Sequence, residues 1–244
     1  MFVKLARRWA ELGHPCLRFD FGGRGESDGG FGDASIQSMV ADARAAVAFT
    51  RERTGVPIVL AGICSGAKVA VMTACREEGV DGLLLWSADP LGDGVHLSRR
   101  RARSLAALRT YAAKLRRPET WKKALAGKLD FRSIGRAVST PERADRSERE
   151  NERDFLREFA AFRAPVLFVN GECDAGSQAT REAYAEFCRK HGLTAGFAVV
   201  PGAGHSFYSL ASETRVADLS TDWLRTRFAG SAPTGAEGIG PHSG

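Results

Sequence analysis

Three side chains of types able to run nucleophilic acyl transfer occur in separate glycine-marked settings. They are Cys64 in Gly62-Ile63-Cys64-Ser65-Gly66, Asp174 in Gly171-Glu172-Cys173-Asp174, and His205 in Gly202-Ala203-Gly204-His205. A thiol becomes a strong nucleophile when an imidazole takes its proton, and a carboxylate holds that imidazole in the required tautomer. Each of the three follows a short apolar run, so each is expected just past the end of its own strand.

The Cys64 pentapeptide has the context of a sharp strand-to-helix turn that lifts a nucleophile out of the backbone. Such a turn calls for tiny residues two before and two after its centre, and Gly62 and Gly66 stand there. Centring the turn on Ser65 would place bulky Ile63 at the crowded position, so the register selects Cys64. The start of the following helix favours a thiolate, and the Ser65 backbone N–H is the expected oxyanion donor. The plain alternative is a tight turn holding a structural cysteine.

Asp174 is the expected orienting acid. Its plain alternative is a turn aspartate capping the helix that starts near Ser177, and Glu172 competes with it from earlier in the turn. His205 is the expected base. The other histidines (His14, His96, His191 and His242) lack any such setting, although His96 is a candidate substrate contact.

The elements that must position these groups follow from hydrophobic period and punctuation. Helices are expected over 2–12, 40–53, 67–77, 178–191 and 214–228. Strands are expected over 16–19, 57–61, 82–86, 165–169 and 196–200. Apolar strands alternating with helices mean an α/β fold, with a mostly parallel sheet covered by helices on both faces. The expected organisation is a core over 1–92 and 163–228, an inserted helical lid over 93–162, and a Gly/Pro/Ser-rich disordered tail over 229–244.

Composition narrows the function classes. Hydrophobic residues make up 43% and charged residues 26% of the 244, as in ordinary globular chains. No apolar run is long enough to span a bilayer, and the N-terminus has no signal-peptide core, so a cytoplasmic protein is expected. The five cysteines show neither a disulfide framework nor a zinc spacing, and no metal or other cofactor is implied.

The net charge of +6 is uneven: 93–160 holds 18 Lys or Arg and 10 Asp or Glu, leaving −2 for the rest. This basic lid suits an anionic acyl carrier, coenzyme A or an acidic saccharide. A solvated helical surface laced with Arg–Glu pairs is the bland alternative. Tyr111, Trp121 and Phe131 line the pocket in one reading and form lid core in the other. No nucleic-acid recognition module is evident.

The order nucleophile, acid, base, each after its own strand, resembles the α/β-hydrolase superfamily over about 2–228. Arg18 to Ser27 resembles that superfamily's DxxGxGxS loop. More narrowly, the elbow GICSGA and the stretch from Tyr111 to Phe131 resemble the exosortase A system-associated hydrolases, type 1, related to the serine aminopeptidase-like group. That group carries a cysteine at its elbow and occurs with extracellular polysaccharide export loci. The resemblance implies an α/β-hydrolase fold with catalytic Cys64, Asp174 and His205.

The front departs from the pattern. About three strands that precede the 2–12 helix in the superfamily are missing, and with them the loop that supplies a second oxyanion donor. A longer gene product with Met1 internal is the expectation, set against a degenerate copy. The missing neighbour would leave 16–19 without a strand between it and 58–61.

The functional expectation is hydrolysis of a small-molecule or carrier-bound ester or thioester through a Cys64 acyl-enzyme. Acyl transfer to an acceptor other than water is a close variant. A non-catalytic accessory protein of a polysaccharide system is the alternative from another class. A redox-sensing thiol pairing Cys64 with Cys173 is a third reading. Oligomeric state is left open.

Overall fold

The structure is a computed structural model that describes residues 1–30, 34–89 and 154–228. The chain divides into two compact units, one made of Met1–Asp89 with Glu158–Gly244 and the other of Pro90–Arg157. The expected lid over 93–162 and the tail over 229–244 lie almost wholly outside the described residues, as do His96, Tyr111, Trp121, Phe131 and His242.

In chain order, the first unit contains helix α1 (Phe2–Glu11), helix α2 (Ile36–Thr54), strand β1 (Val59–Ile63) and helix α3 (Ser65–Arg76). Strand β2 (Gly82–Trp86), strand β3 (Val166–Gly171), helix α4 (Ser177–His191), strand β4 (Ala195–Val200) and helix α5 (Leu210–Arg227) follow. A further short helix covers 154–160. The four strands lie in the order β1-β2-β3-β4, all parallel. Parallel neighbours put every strand's C-terminal end on one edge of the sheet, which collects the loops carrying Cys64, Asp174 and His205.

The central strands are buried along their whole length, which is why Gly82-Leu-Leu-Leu-Trp86 and Val166-Leu-Phe-Val169 read as continuous apolar runs. Alternate residues serve opposite faces. Leu84, Trp86, Leu167 and Val169 join Leu5 and Trp9 of α1 and Val216 and Leu224 of α5 in one cluster. On the opposite face Phe168 meets Tyr184 of α4 with ring centroids 4.6 Å apart. The buried indoles keep their N–H groups bonded: Trp9 donates to Thr221 at 3.0 Å and Trp86 to Ser220 at 3.2 Å.

The helix ends follow local chemistry. Ser35 and Ser38 form a reciprocal capping box that starts α2 four residues before the expected Val40, and Gly55 closes it in a left-handed conformation. Ser209 caps α5 by accepting from the Ser212 N–H, so this helix too begins earlier than expected.

One expected strand is not formed. Cys16–Phe19 makes no ladder, and β1 pairs only with β2. Along β1 only Gly62 is fully buried, and Ala61 is exposed, in contrast to β2. An apolar trough of about 550 Å³ separates 16–19 from β1, lined by Leu5, Trp9, Leu17, Phe19, Val47 and Val69 among others. Cys-Leu-Arg-Phe has the composition of a strand, but a strand exists only through its partner's hydrogen bonds. Among the described residues the sheet thus ends at β1, and 16–19 lie beside that edge without pairing to it.

Candidate functional site

Cys64 occupies the turn between β1 and α3 with φ 55° and ψ −120°. A side chain in this region is strained by about 1–3 kcal/mol and persists only where its surroundings over-determine it. Here the Cys64 N–H donates to the carbonyl of Trp86 at 3.0 Å, and its own carbonyl accepts from the Ala67 N–H at 3.0 Å. A Cβ on Gly62 would lie 2.3 Å from the carbonyl oxygen of Gly66, so the tight crossing requires glycine there. Gly66 differs from expectation: a Cβ at that position meets nothing within 4 Å. The crowding is one-sided, because it is the Gly66 backbone, not its Cα substituent, that meets Gly62. Ser65 opens α3, with its backbone N–H in the first turn of the helix.

Asp174 and His205 are brought together. Oδ2 of Asp174 accepts from Nδ1 of His205 at 2.8 Å, with the carboxylate side chain 7% exposed and the imidazole 31%. This tautomer leaves Nε2 as the nitrogen able to take a proton. The two supporting loops are pressed into one another. A Cβ on Gly171 would lie 2.4 Å from the Ala203 oxygen, and the Cys173 N–H donates to that same oxygen at 2.9 Å. Glu172, the sequence competitor of Asp174, accepts instead from the Gly202 N–H at 2.8 Å. It steadies the histidine loop and leaves the imidazole to its neighbour.

Sequence reasoning missed two residues that follow β2. Ser87 is fully buried with φ 42°; its N–H donates to the Val169 carbonyl at 2.8 Å and its hydroxyl to the His205 carbonyl at 2.7 Å. The Trp86–Ser87 peptide therefore holds the backbones of Cys64 and Val169, while the Ser87 hydroxyl holds that of His205. Asp89 accepts a hydrogen bond from the Cys64 thiol, Sγ to Oδ1 3.7 Å, and its carbonyl accepts from the Tyr184 hydroxyl at 2.9 Å. Ser87 carried a weak signal, standing directly after a strand end; Asp89 carried none.

Among the described residues the non-glycine positions with positive φ are Cys64, Ser87 and Phe207, which follow three different strands at one edge of the sheet. Strained residues of this kind cluster at active sites and ligand clamps, which makes this edge the candidate site. The 550 Å³ trough does not include these residues.

The other thiols are of another kind. Burial raises the Cys188 thiol to about 11. Burial, reinforced by Glu158 and opposed by Arg76, raises Cys75 to about 12. Cys16 and Cys173 are exposed.

Comparison with known proteins agrees with this fold. GrgF from Penicillium sp. sh18, an alpha/beta hydrolase, is similar at 17% identity and a TM-score of 0.56, over 94% of this chain and 85% of that one. An alpha-beta serine hydrolase homologue from Coxiella burnetii is similar at 19% identity and 0.51, over 92% and 74%. ATU1826 from Agrobacterium tumefaciens, a protein of unknown function described as a putative alpha/beta hydrolase, is similar at 15% identity and 0.52, over 96% and 79%. At these identities the likeness is one of fold. No curated protein matches the chain. No helix among the described residues is long and apolar enough to cross a membrane. The model of the alpha/beta hydrolase family matches residues 2–219, nearly the whole chain, and on that match and the parallel sheet with its clustered loops the chain belongs to the alpha/beta hydrolase family.

Proposed function

We propose that the chain is a hydrolase of esters or thioesters that works through a covalent acyl-enzyme on Cys64. The observation that carries this reading is the 2.8 Å pair of Asp174 and His205, with the His205 carbonyl held by Ser87 and the strained turn of Cys64 held by the preceding Trp86. In the proposed cycle His205 Nε2 takes the thiol proton as Sγ bonds to the carbonyl carbon. The Ser65 N–H at the start of α3 stabilises the oxyanion. The C–O or C–S bond then breaks, and the leaving group takes the proton from the imidazolium. Water, deprotonated by His205, attacks the resulting thioester and releases a carboxylic acid and the Cys64 thiol. Asp174 holds the ring in the tautomer that leaves Nε2 toward the thiol.

The acyl-enzyme is itself a thioester, so an alcohol or thiol acceptor could replace water with the same residues in the same roles. A non-catalytic accessory role is the second reading, and the observation on its side is that β1 pairs with β2 alone among the described strands. One experiment separates the classes. Intact protein is labelled with limiting iodoacetamide across pH 5–9, as wild type and as His205→Ala, and the modified cysteine is mapped. Preferential Cys64 labelling that falls in His205→Ala supports the enzyme. Slow labelling of all five cysteines, unchanged by the substitution, overturns it.

A further inference from the structure

We propose that the outer edge of β4 is a self-association surface, on which a second copy of this chain pairs its own β4 antiparallel to the first about a two-fold axis through Phe197.

The edge is chemically unfinished. The Val166 N–H donates to the Thr194 carbonyl at 2.9 Å and the Glu172 N–H to the Val200 carbonyl at 3.1 Å. Backbone groups of alternate residues in a strand point to alternate sides. The N–H and C=O groups of Ala195, Phe197 and Val199 therefore point away from β3. Among the described residues none of these groups meets a hydrogen-bond partner. A row of open donors and acceptors is a template for another strand, and natural edges are blunted by charge, proline, a bulge or a covering segment. Ala-Gly-Phe-Ala-Val-Val carries no charge and no proline, and its pairing with β3 runs unbroken from Ala195 to Val200. The β1 edge differs, because 16–19 lie beside it.

The pattern of the strand selects a second copy as the occupant. Directly opposite residues of an antiparallel pair exchange both of their N–H···O bonds. Only a register centred on Phe197 engages every outward residue, with Phe197 opposite its own copy and Ala195 opposite Val199. The axis then stands perpendicular to the sheet, and each face continues into the same face of the other copy. Phe197 lies on the face of Tyr184 and α4, stacked on Phe168 with centroids 4.9 Å apart. Across the axis the two Phe197 side chains form a cross-strand aromatic pair, while small Ala195 meets larger Val199. No charge is left without a partner in this register, so the strand complements itself. The contact is isologous and closes at two copies.

The test is sedimentation velocity of the full chain over about 2–200 μM, since a dimer forms by mass action. Wild type is compared with Ala195→Pro, which removes an outward N–H and leaves the β3 ladder intact. Thermal melts at the lowest concentration check that the variant folds. Phe197→Cys supplies an independent readout at the highest concentration. Opposite residues of such a pair have Cα atoms about 5.5 Å apart, within the span of a disulfide. Oxidised glutathione should therefore link position 197 of one chain to position 197 of the other. The linkage is mapped by peptides, because exposed Cys16 and Cys173 also oxidise.

The expected result is a wild-type dimer in this range, a dissociation constant at least about tenfold higher in Ala195→Pro, and a dominant 197–197 linkage. A wild type that stays monomeric throughout overturns the proposal. So does a dimer that a folded Ala195→Pro leaves unchanged, which places the contact on another surface. If Ala195→Pro does not fold, the 197–197 linkage alone decides, and its absence overturns the proposal.

Discussion

The hydroxyl of Ser87 donates to the backbone carbonyl of His205 at 2.7 Å, across 118 residues of chain. Ser87 is fully buried, sits at φ 42°, and follows the residue whose carbonyl holds the Cys64 N–H. Residues that must sit apart in sequence and together in space are thus fixed by one point of the β2 end. Ser87→Ala removes only the hydroxyl and leaves the His205 carbonyl short of a donor, at about 1 kcal/mol of stability. The expected effect on the proposed hydrolysis is larger, about tenfold in kcat with KM little changed, because the imidazole loses its aim. Steady-state kinetics beside a urea melt check this; equal losses in stability and turnover would reduce Ser87 to a structural residue.

The elbow glycines are not equivalent. A Cβ on Gly62 would meet the Gly66 carbonyl at 2.3 Å, a backbone atom that cannot swing away, whereas a Cβ on Gly66 meets nothing within 4 Å. Gly62→Ala should lower stability by about 1–3 kcal/mol and distort the Cys64 turn. Gly66→Ala should be neutral or slightly stabilising, since alanine is the better helix former inside α3. Thermal melts of the two variants decide the matter, and equal shifts would mean that the turn is looser than its geometry.

How far the sequence foretold this molecule depends on the range of the forces involved. The β2 and β3 runs and α4 were legible because continuous burial writes continuous apolar sequence. Cys64, Asp174 and His205 were legible as candidates because each stands in a local, glycine-marked turn. Ser87 and Asp89 were not, since their meaning comes from partners at positions 205 and 64. Residues 16–19 show the converse failure. Their composition is that of a strand, but the neighbour they need is not among the described strands. The Ser35–Ser38 capping box was present in the sequence and would have given the true start of α2.

The thiols should separate by pH. Burial raises Cys188 to about 11 and, with Glu158, raises Cys75 to about 12. A raised thiol pKa keeps the neutral, unreactive form dominant well above pH 9. Mapped alkylation of the native protein between pH 6 and pH 9 should leave these two the last to react. Their early modification would show that α3 and α4 open readily in solution.

Glu172 and Asp174 offer the sharpest contrast, because two carboxylates in one turn take different partners. Asp174 receives Nδ1–H of His205 at 2.8 Å, while Glu172 receives the Gly202 N–H at 2.8 Å. Asp174→Asn keeps the shape but offers the ring the wrong hydrogen-bonding group, which in comparable triads costs about 10⁴ in kcat. In the proposed hydrolysis a loss of about 10²–10⁴ is expected here, with folding intact by circular dichroism. Glu172→Gln retains an acceptor for Gly202 and should cost less than about tenfold. If the two losses were reversed, Glu172 would be the working acid and the 2.8 Å contact of Asp174 only a structural one.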